Sequence, residues 1–367
     1  MIKQTRNPYL RFACLGLGLI FVFGTLMACT TNHKSIPKEV LSEIDTSISD
    51  LAENKRFSGS ILIAQGDQVL LSKGYGQADI ERGEPNTPQT RFRIYSVTKG
   101  FTATAILILQ DQGTLNVQDH LCEYIVDCPA AWQEITIHHI LTHTSGISDK
   151  IFFEKIAGRQ EEQFTPAELI ALFKDAPLDF QPGQEWRYSN PGYILLGYII
   201  EQVSGQTYEE FLQEHIFSPL NLLNTGYDHM ENGVATGYSS YGYKARAIDT
   251  SQPYSAGGLY STVEDLYHWV QAFQTDHYFS KKVFASLLVP FVPAPSEEHF
   301  SKDMSYGYGW MIGERNGHRL VGHTGSYYGF CSFLEYYPDE QISIIVLSNL
   351  ECWNSLSAFT LPSEIIF

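Results

Sequence analysis

Strand patterns lie at both ends of the chain, and helical patterns lie between them. Two short apolar runs near the N-terminal end, SILIA and VLLS, are split by Gln65-Gly66-Asp67-Gln68, which is typical of a β-hairpin. Four more strand-like stretches follow after residue 305, namely YGYGWMIG, RLVGH, GFCSFLEYY and QISIIVLSN. The short turns between them predict an antiparallel meander. The sequence therefore predicts an α/β fold of the α+β type, in which one antiparallel sheet from both chain ends is flanked by helices and a mostly helical part is inserted.

Helical periodicity sets the approximate limits of these parts. Apolar residues at helical spacing predict a helix over residues 40–55. A second helix after Ser96 is apolar on nearly every face, so it should be buried. The tail after residue 350 is short and poorly patterned for a helix that packs on the sheet. We predict a single domain over 38–367, with an α/β part at about 38–114 and 286–367 and a helical part at about 115–285.

The stretch IYSVTKGF (94–101) places Ser96 where a helix begins and Lys99 three residues later. Positions three apart share a helix face, so the amine can reach the hydroxyl. The helix N-terminus and the apolar neighbours both disfavour an ammonium ion, and both lower the lysine pKa. Such a lysine can accept the proton of the serine. The alternative is an ordinary cap followed by a surface lysine.

Two later stretches carry further candidate site residues. Tyr188 and Asn190 lie in a loop just before an apolar helix, where a packing tyrosine and a helix-capping asparagine are the alternative. His323, Thr324 and Gly325 lie at a strand end, where glycine permits a ligand to approach the backbone closely. An ordinary strand-to-turn sequence is the alternative there.

Taken in order, these three stretches resemble the Ser-x-x-Lys, Ser/Tyr-x-Asn and Lys/His-Thr-Gly elements of serine β-lactamases and penicillin-binding proteins. Longer segments extend the likeness over about residues 40–350: ILTHTSGI, FQPGQEWRYSNPGYILLGYIIEQVSG, IFSPLNLLNTGYD and AGGLYSTVEDLYHW. They resemble segments of the class C β-lactamase-like serine hydrolase superfamily. That superfamily includes class C β-lactamases, D-alanyl-D-alanine carboxypeptidases, D-aminopeptidases and related esterases.

The resemblance implies a role for each matching position. Ser96 would be the acylated nucleophile, Lys99 its proton acceptor, and Tyr188 a second acid/base group.

The resemblance also implies the residues that bind the substrate. Asn190 would hold the substrate amide, and His323 and Thr324 would meet a substrate carboxylate. The backbone N–H groups of Ser96 and Ser326 would form the oxyanion hole, and Gly325 precedes Ser326 on the same strand.

The resemblance implies a cell-envelope serine hydrolase, most of all a D-Ala-D-Ala carboxypeptidase or penicillin-binding activity on peptides or amides. β-Lactamase and esterase activities are the alternatives within the family. His323 stands where class C β-lactamases carry lysine, which makes a β-lactamase the less favoured of these. A lipoprotein that binds muropeptides or β-lactams without turnover is the alternative from another class.

The N-terminal segment predicts export. Three basic residues precede an apolar run, so residues 1–28 are typical of a signal peptide. The run ends in LMAC, which resembles the lipobox of bacterial lipoproteins and implies lipidation of Cys29, with a tether over 29–37. A membrane-spanning anchor is the alternative. We expect a protein that is lipid-anchored in the cell envelope. If the cell has two membranes, Thr30 after the cysteine resembles an outer-membrane sorting signal, and the protein should then face the periplasm.

Charge and residue spacing limit the other partners. The net charge of −17 argues against nucleic acid, which leaves a small-molecule or peptide substrate and a membrane reached through the lipid. We expect a monomer that needs no cofactor. His139 and His143 have the spacing of a helical zinc pair, but no HExxH glutamate accompanies them, so we predict no metal.

Four cysteines remain in the mature part of an exported chain, where disulfides persist. Cys122 and Cys128 would close a short loop, and we predict that they pair. For Cys331 and Cys352 the sequence leaves the question open. A tight turn at Asp339-Glu340 would set Cys331 opposite Ser348 and leave Cys352 out of register.

Overall fold

The computed structural model describes residues 35–230, 233–273, 278–294 and 303–367. The predicted signal peptide and the lipidation site at Cys29 lie outside these residues. Residues 35–367 form one compact unit. Among the described residues, no helix is both long and apolar enough to cross a membrane. The predicted limits between the α/β part and the helical part stay a prediction.

The strands are short at the ends of the sheet and in the middle of the chain. They are β1 Gly59–Gln65, β2 Gln68–Tyr75, β3 Gln77–Asp79, β4 Glu84–Pro85, β5 Phe92–Arg93, β6 Gly226–Tyr227, β7 Tyr238–Ser240, β8 Tyr243–Lys244, β9 Leu259–Ser261, β10 Val292–Pro293, β11 Ser305–Tyr306, β12 Met311–Arg315, β13 His318–Tyr327, β14 Phe330–Tyr337 and β15 Ile342–Ser348.

Most helices lie between β5 and β10. They are α1 Lys38–Glu53, α2 Thr98–Asp111, α3 Ile137–Leu141, α4 Asp149–Ile156, α5 Pro166–Ala171, α6 Asn190–Ser204, α7 Tyr208–Leu212, α8 Tyr254–Gly257, α9 Val263–Ala272, α10 Lys281–Leu287 and α11 Cys352–Ile366. A 3-10 turn at Tyr95–Val97 leads directly into α2.

One antiparallel sheet is built from both chain ends, in the order β10-β11-β12-β13-β14-β15-β1-β2. The N-terminal hairpin joins the C-terminal meander where Gly59 pairs with Ser348. Alternate residues of β1 point to opposite faces, so Leu62 belongs to one apolar cluster and Ile61 to the other. The sheet therefore has a core on each face, which confirms the fold predicted from the strand patterns at the two ends.

Helix α2 is buried along nearly its whole length, as its uniformly apolar sequence predicts. It packs against α6 and α8 on the helical side and against α10. Gly100 permits this packing, because a Cβ there would come within 2.5 Å of the Trp269 ring. The first turn of α2 is thereby held in the interior of the protein.

The tail differs from the expectation, because residues 352–366 form helix α11 on the sheet. Ala358 and Phe359 are buried in the apolar cluster that contains Ile61, although Pro362 lies within the helix. Apolar side chains on one face are enough for this packing, even though the pattern around the helix is weak.

Both cysteine pairs are joined in the structure. Cys122 and Cys128 form the predicted bridge. Cys331 does lie opposite Ser348, as the turn at residues 339–340 requires. The chain then turns from β15 into α11 and brings Cys352 back over β14, with a Cα–Cα distance of 5.1 Å to Cys331. The second disulfide therefore ties the last helix to the sheet.

Breaking the Cys331–Cys352 bridge should destabilise the protein more than breaking the Cys122–Cys128 bridge. The first bridge spans 21 residues and the second spans 6, and the entropy of the unfolded chain rises with the length of the loop that is released. We expect a loss of about 3 kcal/mol for Cys331→Ser and about 2 kcal/mol for Cys122→Ser. Urea unfolding of oxidised protein measures both. Equal losses, or free thiols at either pair in the unmodified protein, would contradict this account.

Candidate active site

Ser96 lies in the 3-10 turn before α2, and its hydroxyl does not cap the helix. Val97 is the N-cap residue of α2, and no side chain makes a capping hydrogen bond there. The preceding residue, Tyr95, has a φ of 41°. This left-handed conformation is unfavourable for a residue with a side chain, by on the order of 1 kcal/mol. The turn thus places Ser96 Oγ 3.1 Å from Lys99 Nζ and not in a helix-capping position.

The Lys99 amine is fully buried and lies among three oxygen atoms. Its Nζ is 3.1 Å from Ser96 Oγ, 2.8 Å from Asn190 Oδ1 and 2.8 Å from the carbonyl oxygen of Ala256. Burial lowers the pKa of Lys99 to about 7, and the negative charge of Asp149 acts in the opposite direction. A large share of the protein therefore carries a neutral amine at neutral pH.

The identity of these oxygens decides where the lone pair of the neutral amine points. A neutral amine has two hydrogens to donate and one lone pair. The Asn190 amide oxygen and the Ala256 carbonyl oxygen can only accept, so they take the two hydrogens. The lone pair is left for the hydroxyl hydrogen of Ser96. This arrangement can remove the proton of Ser96 as its oxygen attacks a carbonyl carbon.

Tyr188 lies over the same amine, with its ring centroid 4.8 Å from Lys99 Nζ. Burial raises the pKa of Tyr188, and the nearby Ser96 hydroxyl opposes this effect only in part. The Tyr188 hydroxyl makes no well-formed hydrogen bond to any described residue. At neutral pH the phenol therefore keeps its proton, which suits a proton donor better than a base.

His143, which sequence analysis considered only as a metal ligand, fixes the segment around Tyr188. Its carbonyl oxygen accepts from Arg187 N at 2.9 Å, and its Nδ1 accepts from Ser189 N at 3.1 Å. The two ring centroids of His143 and Tyr188 are 4.3 Å apart. One histidine therefore holds the residues before and after Tyr188. His139 is bonded separately, because its Nδ1 accepts from Thr136 N.

His323 is buried on strand β13. Its side chain is only 4% exposed. Nδ1 lies 2.6 Å from the carbonyl oxygen of Thr324, so it must donate there, and Nε2 then accepts from the Tyr306 hydroxyl at 3.0 Å. Burial, together with the charge of Lys99, lowers the pKa of His323 to about 3. In this structure His323 is therefore uncharged at neutral pH, and its contact with a substrate carboxylate stays a prediction.

Gly325 brings strand β13 against the turn that carries Ser96. A Cβ at Gly325 would lie 2.1 Å from the carbonyl oxygen of Ile94 and 2.9 Å from Ser96 N. Ser332 on the neighbouring strand donates to the same Ile94 oxygen at 2.7 Å. The close approach expected at this glycine is thus made to the backbone of the turn. Ser326, one residue further on, lines the same cavity as Ser96.

A cavity that is open to solvent on one side lies next to Ser96. Its polar lining residues include Ser96, Asn190, Gln252 and Ser326. The remaining walls are mostly apolar or aromatic, with contributions from Phe152, Phe153, Ile156, Ile194, Ile248 and Tyr327. None of the described residues that line it carries a charge. The space beside the nucleophile is therefore shaped for an uncharged, apolar group.

The structure brings Ser96, Lys99, Tyr188 and Asn190 together as the sequence predicts. Asn190 is the first residue of α6, and Ser189 is the helix cap, so the Asn190 amide is free to reach Lys99. Sequence analysis missed three contributors: the carbonyl oxygen of Ala256, His143 and Asp149. Ala256 contributes only a backbone oxygen, which the residue type does not reveal. His143 and Asp149 contribute side-chain atoms, and both belong to the THTSGISD stretch after α3.

Comparisons with known proteins agree with this fold. The sequence model of the family described as Beta-lactamase matches residues 44–360. A penicillin-binding protein of Bacillus subtilis is 28% identical over 338 residues, which cover 84% of this chain and 71% of that protein. The octameric penicillin-binding protein homologue from Pyrococcus abyssi is 29% identical, with a TM-score of 0.76 over 88% of this chain and 77% of its own. A penicillin-binding protein from Bacillus halodurans is 28% identical, with a TM-score of 0.75 over 87% of this chain and 98% of that protein.

Ser96 should be the residue that reacts with a fluorescent phosphonate. Ser96→Ala should abolish labelling, and Lys99→Ala should slow it by about a thousandfold or more, because a nucleophile and its base act as a unit. Ser42→Ala, on the exposed side of α1, is the matched control and should label normally. Peptide mapping after labelling locates the adduct. A label on Ser145 or Ser189 would contradict the assignment.

Proposed function

The chain belongs to the Beta-lactamase family of serine hydrolases, and from this premise we propose that it hydrolyses amides and short peptides through an acyl-enzyme at Ser96. The observation that carries the proposal is the position of the buried Lys99 Nζ, which lies 3.1 Å from Ser96 Oγ while its other two oxygen neighbours can only accept hydrogen bonds. The proposed catalytic residues are Ser96, Lys99 and Tyr188.

Acylation begins when Ser96 Oγ bonds to the substrate carbonyl carbon and its proton passes to Lys99 Nζ. The oxygen of the tetrahedral intermediate accepts from the backbone N–H groups of Ser96 and Ser326, each of which typically contributes on the order of 10²–10³ in rate. As the C–N bond breaks, Tyr188 gives its proton to the leaving amine and recovers one from Lys99. Water then attacks the ester, gives its proton to the same pair, and Ser96 regains its hydrogen.

The cavity favours an uncharged substrate over one that carries a carboxylate. A D-Ala-D-Ala carboxypeptidase or a β-lactamase binds a substrate carboxylate that lies next to the scissile bond. Neutral His323 supplies no cation for it, and the cavity walls among the described residues carry none. We therefore propose amides and peptides without a free carboxylate, D-alanyl amides included, in preference to the carboxypeptidase that the sequence suggested. Esters of the same acyl groups are the second candidate, because they need the same apolar walls.

A matched substrate pair tests this preference. N-Acetyl-D-Ala-D-Ala and its C-terminal amide contain the same scissile bond and differ only in the terminal charge. We expect the amide to be hydrolysed at least as fast, with a ratio that stays flat from pH 5 to pH 8. A site that reads the carboxylate would favour the free acid by about ten- to a hundredfold, the usual strength of a charged hydrogen bond. That result would restore the carboxypeptidase assignment.

Steady-state turnover separates the enzyme from the binding-protein alternative. An acyl-serine hydrolase releases many equivalents of product for each protein molecule. A muropeptide- or β-lactam-binding protein would stop after one equivalent, with the acyl group retained on Ser96.

We also propose that Cys29 carries lipid and anchors the protein in the cell envelope, on the basis of the LMAC sequence alone. Metabolic labelling with a clickable fatty acid should mark the unmodified protein and lose its signal in Cys29→Ser. Cys14→Ser, inside the predicted signal peptide, is the matched control and should be labelled normally. Unlabelled wild-type protein would contradict the proposal.

A further inference from the structure

We propose that Asp149 is a positioning residue that fixes the orientation of the Asn190 amide and thereby directs the lone pair of Lys99 toward Ser96. The inference rests on the proposed acyl-enzyme function of Ser96. It adds a residue that the family motifs in this sequence do not include, from a helix that precedes Asn190 by 41 residues.

Asp149 is the first residue of α4, and one of its carboxylate oxygens holds Asn190 twice. Asp149 Oδ1 accepts from Asn190 N at 2.7 Å and from Asn190 Nδ2 at 3.1 Å. A carboxylate can only accept hydrogen bonds, so the NH₂ group of the amide must face Asp149. The amide oxygen must then face Lys99, where it accepts at 2.8 Å.

The opposite amide orientation would disable the base. Asn190 Nδ2 would then point at Lys99 and compete with Ser96 for the lone pair of the amine. An isolated asparagine can adopt either orientation at little cost, since its two ends are nearly equal in size. The two hydrogen bonds to Asp149 remove that freedom before any substrate binds.

The starts of α4 and α6 are also tied together beside this contact. Ser189, the cap of α6, donates from its hydroxyl to the carbonyl oxygen of Ile147 at 2.9 Å. Ser148, the cap of α4, accepts from Ile151 N. Asp149 and Asn190 therefore meet at two helix ends whose relative position is fixed by further hydrogen bonds.

Asp149 is also the anionic group that acts on Lys99. The other titratable groups that face this amine are the rings of His143, Tyr188 and His323 and, on α6, the ring of Tyr193. Burial lowers the pKa of both histidines and raises the pKa of both tyrosines, so all four are uncharged at neutral pH. The Asp149 charge opposes the effect of burial on Lys99 and keeps the amine basic enough to take a proton.

Two substitutions separate the hydrogen bonds from the charge. Asp149→Asn keeps an accepting oxygen and removes the charge, whereas Asp149→Ala removes both. Glu154→Gln is the matched control, because Glu154 is an exposed acid on the same helix whose ion-pair partner is Lys150. The rate of Ser96 acylation by an uncharged phosphonate, measured from pH 5 to pH 9, is the first readout.

For Asp149→Asn we expect the midpoint of the acylation profile to move down by about one pH unit, because removal of the anion lowers the pKa of Lys99. The rate at pH 6 relative to the plateau then rises about fivefold. For Asp149→Ala we expect the same downward shift of the midpoint, because the anion is lost there too, and a plateau rate about tenfold lower than that of Asp149→Asn, because the directing hydrogen bond is also lost. A purely structural role would lower the rates without moving the midpoint. Midpoints equal to that of Glu154→Gln, or an Asp149→Ala plateau as high as that of Asp149→Asn, would overturn the inference.

A second readout does not depend on acylation. The Lys99 amine can be titrated by NMR in protein labelled with ¹³C at lysine Cε, and Asp149→Asn should lower its midpoint by the same amount. If the unmodified protein is not acylated at Ser96, the proposed function fails, and the lysine titration alone then decides the role of Asp149. An unchanged titration midpoint in Asp149→Asn overturns it.

Discussion

The burial of one amine governs the arrangement of the site. An ammonium ion is costly to remove from water, and the cost falls sharply when the group gives up its proton. Lys99 is fully buried, and three oxygens surround its nitrogen. These oxygens come from the turn before α2, from α6 and from α8. The fold must therefore bring three segments, separated by up to 160 residues, to one nitrogen atom.

The sheet and the central helix achieve this convergence. Gly325 lets β13 approach the turn of Ser96 closely, and Gly100 lets α2 pack closely against Trp269. The site then lies between the sheet and the helical part, where an apolar cavity opens beside the nucleophile. Because the surroundings are apolar, the same packing that buries Lys99 also favours an uncharged acyl group. The burial of the base and the choice of substrate thus follow from one feature of the fold.

Local patterns in the sequence predicted what depends on local structure. Alternating apolar residues and turn sequences predicted the sheet, and the three-residue spacing of Ser96 and Lys99 predicted their contact. The sequence did not predict the state of His323, because its burial and its bond to Tyr306 depend on packing between separate strands. His143 and Asp149 act on residues 46 and 41 positions away, so no spacing in the sequence reveals them. Helix α11 was missed because its stabilisation comes from contact with the sheet and from the bond to Cys331, more than from its own pattern.

The central claim is that burial lowers the pKa of Lys99 to about 7, so that a large share of the resting protein carries a neutral amine at neutral pH. The most direct measurement is the titration of Lys99 itself by NMR, with ¹³C at lysine Cε and with Lys99→Arg to assign the signal. The account predicts a midpoint near a pKa of about 7. A midpoint close to the ordinary lysine value of about 10.4 would contradict it. In that case the amine would be an ammonium ion at neutral pH, and another group would have to take the proton of Ser96.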